Sequence, residues 1–337
     1  YPMPNISLLE PTVLRGVVEK LTAPESMVLL NRVPTTPWPF PSVTWEVITG
    51  SRNIAEPNVP NSEAHIVQRL GRSQKSAAFI YLRDKKVFEP TTLHWLKEPG
   101  ELAKTNAEAA VMREVKDLNN RFNAFAEYCL WKSLSGTLTL DYNDVQSTVD
   151  YGFSNTHLPT AAATWSSATR KQIVNDVRTW KRLIRRDGRV EAKEAYATET
   201  GVSYIFDSFA TTGVANTFPG GQLLSDRMKD EYYKSGVLPG FLGLNWKLAE
   251  SVYTTSNGTV TQFLPDDRIV IGNFEENRPI ELFEGPTADD EAPSGFTGKF
   301  SKSWKEKDPS ARQVLLEWHM MPVITRPEQF VYADLTT

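Results

Sequence analysis

The stretch TNAEAAVMREVKDLNNRFNAFAEYCLWKSLSG, residues 105–136, is the reading on which the architecture turns. Within it Val111, Val115, Leu118, Phe122, Phe125 and Cys129 recur at steps of four, three, four, three and four. That spacing returns every side chain to one face of a 3.6-residue helix, so these six predict a buried stripe. Thr105-Asn106-Ala107-Glu108 has the form of a capping box, and Gly136 supplies a stop. About thirty helical residues extend roughly 45 Å, enough for the spine of a domain. Taken alone, the stripe equally fits a core helix of an ordinary fold.

On the N-terminal side, residues 1–41 are irregular and end in Pro34, Pro37, Pro39 and Pro41. Repeated prolines favour extended backbone, so this segment reads as an arm lying on something else, with a short helix near Thr12–Leu21. Residues 42–90 read as a long hairpin. Val43, Trp45 and Val47 alternate with polar neighbours, and Ala78–Leu82 is a second β-prone run. The polar residues between them are too many for a compact loop and predict an extension reaching away from the body.

On the C-terminal side, a second helix is predicted over Ser167–Asp187. Ile173, Val177, Trp180 and Ile184 share its apolar face, and Arg178, Lys181, Arg182, Arg185 and Arg186 crowd the other. Val252–Thr255 and Val260–Phe263 flank Asn257-Gly258, a hairpin turn signal in which both central residues would take positive φ. Arg268–Ile271, Val314–Trp318 and Phe330–Asp334 read as strands, and the acidic, Gly- and Pro-rich residues 284–309 as a surface loop. Helices and strands segregate without regular βαβ alternation, which predicts an α+β fold.

The chain of 337 residues has a net charge of −4 and one cysteine. An acidic balance argues against a protein that grips nucleic acid, and a single cysteine excludes an intrachain disulfide. No apolar run approaches the ~20 residues of a membrane span. Because the sequence begins at Tyr1, its natural start is expected to have been cut or omitted. His65, His94, His157 and His319 are scattered without metal-ligand spacing, and no P-loop, His-Glu-x-x-His or Gly-x-Ser-x-Gly occurs. No catalytic, cofactor or metal site is therefore assigned. Paired carboxylates with tryptophan platforms keep a carbohydrate-active enzyme open as an alternative, although Trp45, Trp131, Trp180 and Trp318 fall on apolar stripes.

Three motifs carry a resemblance to a known family. They are the run from Asn257-Gly258-Thr259-Val260 through Phe263-Leu264-Pro265-Asp266-Asp267-Arg268 to Gly272-Asn273, then Trp304 to Asp308-Pro309-Ser310-Ala311-Arg312, and Met321-Pro322 with Arg326-Pro327-Glu328-Gln329-Phe330-Val331. In this order the chain resembles the lambda E-type major capsid proteins of tailed bacteriophages. The first half is similar in layout rather than in letters.

The resemblance implies a Hong Kong 97-type capsid fold. Residues 1–41 would form the N-terminal arm and 42–90 the E-loop. Residues 91–160 with 270–337 would form the peripheral domain with its spine helix, and 161–269 the axial domain. It also implies a shell of hexamers and pentamers around double-stranded DNA, with portal and scaffold partners and, in some relatives, decoration proteins or covalent cross-links. The protein would be a virion component assembled in the host bacterial cytoplasm, without membrane association. No cross-linking Lys–Asn pair is assigned from the sequence. An encapsulin-like compartment shell is the alternative with the same fold. Charge complementarity makes Arg69, Arg72 and Lys75 of the E-loop candidates for contact with Asp289, Asp290 and Glu291 of a neighbouring subunit.

Overall fold

The computed structural model of the chain describes residues 11–48, 72–88, 101–142, 145–211, 230, 234–235, 237–255, 257–307 and 310–336. They fall into two compact units made of interleaved segments. The first draws on residues 1–43, 76–130 and 281–322, the second on 44–75, 131–280 and 323–337. The architecture is α+β, as the sequence predicts.

Two helices belong to the first unit, α1 (Pro11–Val18) and the greater part of α2 (Glu101–Leu134). Helix α2 starts four residues earlier than the capping signal predicts, because Glu101-Leu102-Ala103-Lys104 are themselves good helix formers. Thr105 is thus inside the helix. The predicted stop holds: Gly136 follows the last turn at φ 96, a conformation that strains any residue with a Cβ.

Val111, Val115, Leu118, Phe122 and Cys129 are buried, whereas Phe125 is half-buried. The buried arc is wider than the apolar stripe and displaced away from Phe125. It takes in Asn119, Asn123 and Glu127, a polar row at i, i+4 and i+8 that is itself buried.

Five strands form the first unit's sheet: β1 (Thr35–Pro37), β4 (Ile80–Phe88), β13 (Ile280–Glu284), β14 (Phe300–Lys307) and β15 (Ser310–Ile324). The order is β1-β13-β15-β14, and β4 also pairs antiparallel with β15 from Arg312↔Phe88 to Met320↔Ile80. The sequence reads residues 284–309 as one surface loop, and this is corrected: Phe300–Lys307 is a strand paired with β15. Its Lys302, Lys305 and Lys307 concealed a strand that starts at buried Phe300 and Ser301 and becomes exposed toward Lys307. Strand β15 is likewise much longer than the predicted Val314–Trp318.

The described part of the arm packs within the chain, with Leu14, Val18, Leu29 and Val33 buried. The buried Glu127 carboxylate of α2 accepts the backbone N–H of Leu29 at 3.0 Å and of Leu30 at 2.6 Å. A proline-rich stretch with little regular structure leaves backbone donors unpaired, and one inward carboxylate satisfies two of them.

The second unit is a sheet of order β16-β12-β7-β9-β8 covered by helices. Its strands are β7 (Glu194–Ala197), β8 (Val237–Phe241), β9 (Leu244–Leu248), β12 (Arg268–Gly272) and β16 (Phe330–Asp334). The helices are α3 (Arg170–Asp187) and α4 (Glu199–Thr211). Helix α3 is capped by Thr169, whose N–H donates to Gln172 Oε1 at 2.8 Å. Ile173, Val177, Trp180 and Ile184 bury its apolar face in one cluster with Ala195, Ile269, Ile271 and Val331.

Three hairpins complete the fold: β2 (Ser42–Ile48) with β3 (Arg72–Ala78), β5 (Thr137–Tyr142) with β6 (Val145–Asp150), and β10 (Val252–Thr254) with β11 (Val260–Gln262). In the last, Gly258 has positive φ, and its N–H donates to Thr255 O at 2.9 Å. The glycine therefore follows the turn instead of forming its second centre, unlike the predicted two-residue connection.

Phe122 sits near the middle of the buried arc at 3% exposure. Phe122→Ala is expected to lower unfolding free energy by about 3–5 kcal/mol. Denaturant unfolding of the soluble subunit measures this, and an unchanged midpoint would place Phe122 outside the core.

Candidate functional site

Strand alternation sorts the charges of the first unit onto two faces. On β4, Asp84 and Lys86 point one way and Tyr81 and Arg83 the other. Lys86 Nζ lies 2.9 Å from Glu114 and 3.0 Å from Asp117, and Arg121 lies 3.2 Å from Asp84, so one face is tied to α2. On the other face Arg83 lies 3.7 Å from Asp289 and 3.8 Å from Glu317. Glu317 is buried and accepts the Ala288 N–H at 2.9 Å and the Tyr81 hydroxyl at 3.1 Å. A buried carboxylate is accommodated in the interior only with several such partners.

The acidic residues of the predicted contact are brought together. Carboxylate oxygens of Asp289, Asp290 and Glu291 lie within 4.8 Å of one another. The charge among them is supplied by Lys302, whose Nζ is 2.5 Å from Asp289 and 3.7 Å from Glu291. The Asp289 side chain is enclosed, while Asp290 and Glu291 are exposed.

Of the predicted cationic partners, Arg69 lies outside the described residues. Arg72 and Lys75 on β3 are paired within their own subunit. Arg72 Nη1 is 2.6 Å from Glu46 on β2, and Lys75 Nζ is 3.1 Å from Asp150 on β6. Sequence reasoning missed Arg83, Lys302 and the buried row Asn119, Asn123 and Glu127. For the row, a signal was available: three polar residues spaced by four on the flank of an apolar stripe.

The features that kept an enzyme open are accounted for in structural terms. Trp45, Trp131, Trp180 and Trp318 are all buried. His157 is buried with Nδ1 2.7 Å from Phe330 O and Nε2 3.3 Å from Asp187 Oδ2, so both ring nitrogens hold the fold. The Cys129 thiol is buried and pushed well up by desolvation, which removes its nucleophilic form.

A family model described as phage major capsid protein E matches residues 11–335. The chain belongs to that family. Members of this capsid family are structural proteins, and the chain is a phage shell protein and not an enzyme. No curated protein matches it in sequence.

Solved structures share the fold. A protein assigned as the capsid protein of an Escherichia coli CFT073 prophage superposes with a TM-score of 0.69 at 15% identity, covering 97% of this chain and 99% of that one. The encapsulin complex of Synechococcus elongatus PCC 7942 gives 0.51 at 8%, covering 100% and 91%. The capsid of Myoviridae phage XM1 gives 0.50 at 12%, covering 94% and 93%. No described helix is long and apolar enough to cross a membrane.

Burial pushes the Asp289 carboxyl up, but Lys302, the Glu291 N–H and Arg83 together outweigh it and hold it below its ordinary value. A carboxylate depressed in the folded state stabilises the fold above its unfolded pKa, and that contribution is lost as pH falls through the folded pKa. Acidification below about pH 4 is therefore expected to destabilise this subunit through Asp289. Asp289→Asn should flatten that acid limb in urea titrations at stepped pH. An unaltered pH profile would show that the pair stabilises nothing.

Proposed function

We propose that this capsid-family chain is the major head subunit of a tailed phage and builds a closed icosahedral shell of hexamers and pentamers. The fold is read as Hong Kong 97-type, with residues 1–41 as arm, 42–90 as E-loop, 91–160 and 270–337 as peripheral domain, and 161–269 as axial domain. The observation that carries the reading is the extent of the family match, which runs over residues 11–335. The shell encloses double-stranded DNA without reading its sequence, and portal and scaffold proteins direct its assembly in the host cytoplasm. A net charge of −4 supports this, because a wall that bound DNA tightly would retain it.

The E-loop hairpin is read as the element that reaches a neighbour, with Arg69, Arg72 and Lys75 near that subunit's Asp289, Asp290 and Glu291. Asp289 would have to be shared with Lys302 and Arg83. Arg72 and Lys75 would have to be shared with Glu46 and Asp150. The charges then contribute little per copy, and repetition around each capsomer makes them count.

Electron microscopy with nuclease-protected DNA assays on purified particles tests the reading. DNA-filled heads are the expected result. Shells loaded with protein and free of DNA would assign the chain to a compartment instead, and a stable monomer under native conditions would overturn both. For the contact, a combined Arg69→Ala, Arg72→Ala, Lys75→Ala variant is expected to disassemble at lower denaturant, with the difference shrinking at high salt. An unchanged midpoint at low salt would remove these three residues from the interface.

A further inference from the structure

Helix α3 ends against the turn Pro327–Gln329 that leads into β16, and a cavity of about 100 Å³ lies there. Gly188, Arg189, Arg326 and Gln329 are among the residues that line it, and all belong to the second unit. The space is several times what one water needs, yet well below the roughly 300–1,000 Å³ of pockets for drug-sized molecules. It fits a small occupant.

The lining is short of partners. Gln329 is completely buried, and both atoms of its carboxamide lack a hydrogen-bond partner among the described residues. A buried amide in this state is costly unless something outside the chain completes it. Arg189 is exposed and Arg326 half-buried, and neither guanidinium has an ion pair or hydrogen bond among the described residues. The two carboxylates that line the cavity are already engaged. Asp187 accepts Arg186 Nε at 2.8 Å and Nη2 at 2.9 Å, and Glu328 is not free. The uncommitted charge is thus positive.

The backbone adds an independent sign. Where a chain leaves a helix through positive φ, glycine is the favoured residue. Here Arg189 takes that conformation, at φ 56, and the glycine stands one position earlier, at φ −80. Close packing accounts for Gly188, because a Cβ there would meet Glu328 O at 2.6 Å. Packing does not account for arginine at 189. It holds a strained backbone and keeps an unpaired guanidinium beside the cavity.

We propose that this cavity binds a small oxyanion that keeps a hydroxyl proton, with hydrogen phosphate as the type. Arg189 and Arg326 offset its charge. The Gln329 carboxamide turns to meet it: Nε2 donates to one anion oxygen, and Oε1 accepts the anion's hydroxyl. Sulfate has the same shape but carries no proton near neutral pH, so it would leave Oε1 unsatisfied. That difference separates a built site from the general attraction of anions to arginine.

Isothermal calorimetry of the purified full chain against inorganic phosphate and sulfate, at matched ionic strength in chloride, is the test. Phosphate is expected to bind saturably, and sulfate at least about tenfold more weakly. Arg189→Gly relieves the strained position, so it should melt no lower than the parent chain in chloride while losing phosphate binding. Gln329→Leu removes the unpaired groups at similar volume, and it should bind phosphate no better than sulfate. Equal binding of the two anions by the parent chain overturns the proposal, as does the absence of saturable phosphate binding. So does an unchanged phosphate affinity in either variant. If Gln329→Leu does not fold, Arg189→Gly and the comparison of anions decide.

Discussion

Helix α2 has to bury more of its circumference than its apolar residues cover, and the first unit is organised around that mismatch. A row of Asn119, Asn123 and Glu127 enters the interior beside Val111, Val115, Leu118 and Phe122. Each buried polar group needs a partner, since a lost hydrogen bond in the interior costs about 1–3 kcal/mol. The partners come from far along the chain. Glu127 takes the Leu29 and Leu30 amides, and the two asparagines take Lys299. Apolar packing alone would let the helix slide or rotate against its neighbours. The polar row fixes one register, because only one rotation satisfies arm and strand together.

The same requirement governs the other charged groups. Strand β4 divides its side chains between a helix-facing and a loop-facing side, and each side meets opposite charge: Lys86 with Glu114 and Asp117, Arg83 with Asp289 and Glu317. In the second unit, Arg185 pairs with Glu191 at 3.0 Å and Arg186 with Asp187 at 2.8 Å, so the basic side of α3 is partly neutralised by its own surroundings. Local neutralisation of this kind weakens the field that a row of like charges would otherwise project.

What could be read from the sequence follows from which interactions are local. The stripes of α2 and α3 and the strands Arg268–Gly272 and Phe330–Asp334 are set by period and were legible. The family motifs fixed the fold class. Strand β14 was not legible, because its three lysines and its Gly- and Pro-rich approach carry no strand period, and only the pairing with β15 reveals it. The arm's attachment was hidden for a different reason. It depends on a carboxylate 97 or 98 residues away, and no window of sequence carries that information. The partners of Arg72 and Lys75 were missed likewise, since Asp150 becomes adjacent to Lys75 only through the tertiary fold.

The low identity with proteins of the same fold has a physical reading in these terms. A TM-score of 0.69 at 15% identity means that most side chains differ while the backbone course is kept. Helical stripes and strand alternation tolerate such change, because many apolar combinations fill the same volume. Buried polar sets do not, since replacing one member leaves the rest without partners. Lys299 with Asn119, Asn123 and Glu284 therefore behaves as a unit that must be kept or replaced whole. A relative that changed all four to apolar residues could hold the same fold, whereas one that changed a single member would lose stability. The specificity of this subunit is thus concentrated in a few long-range polar contacts laid over a permissive apolar pattern.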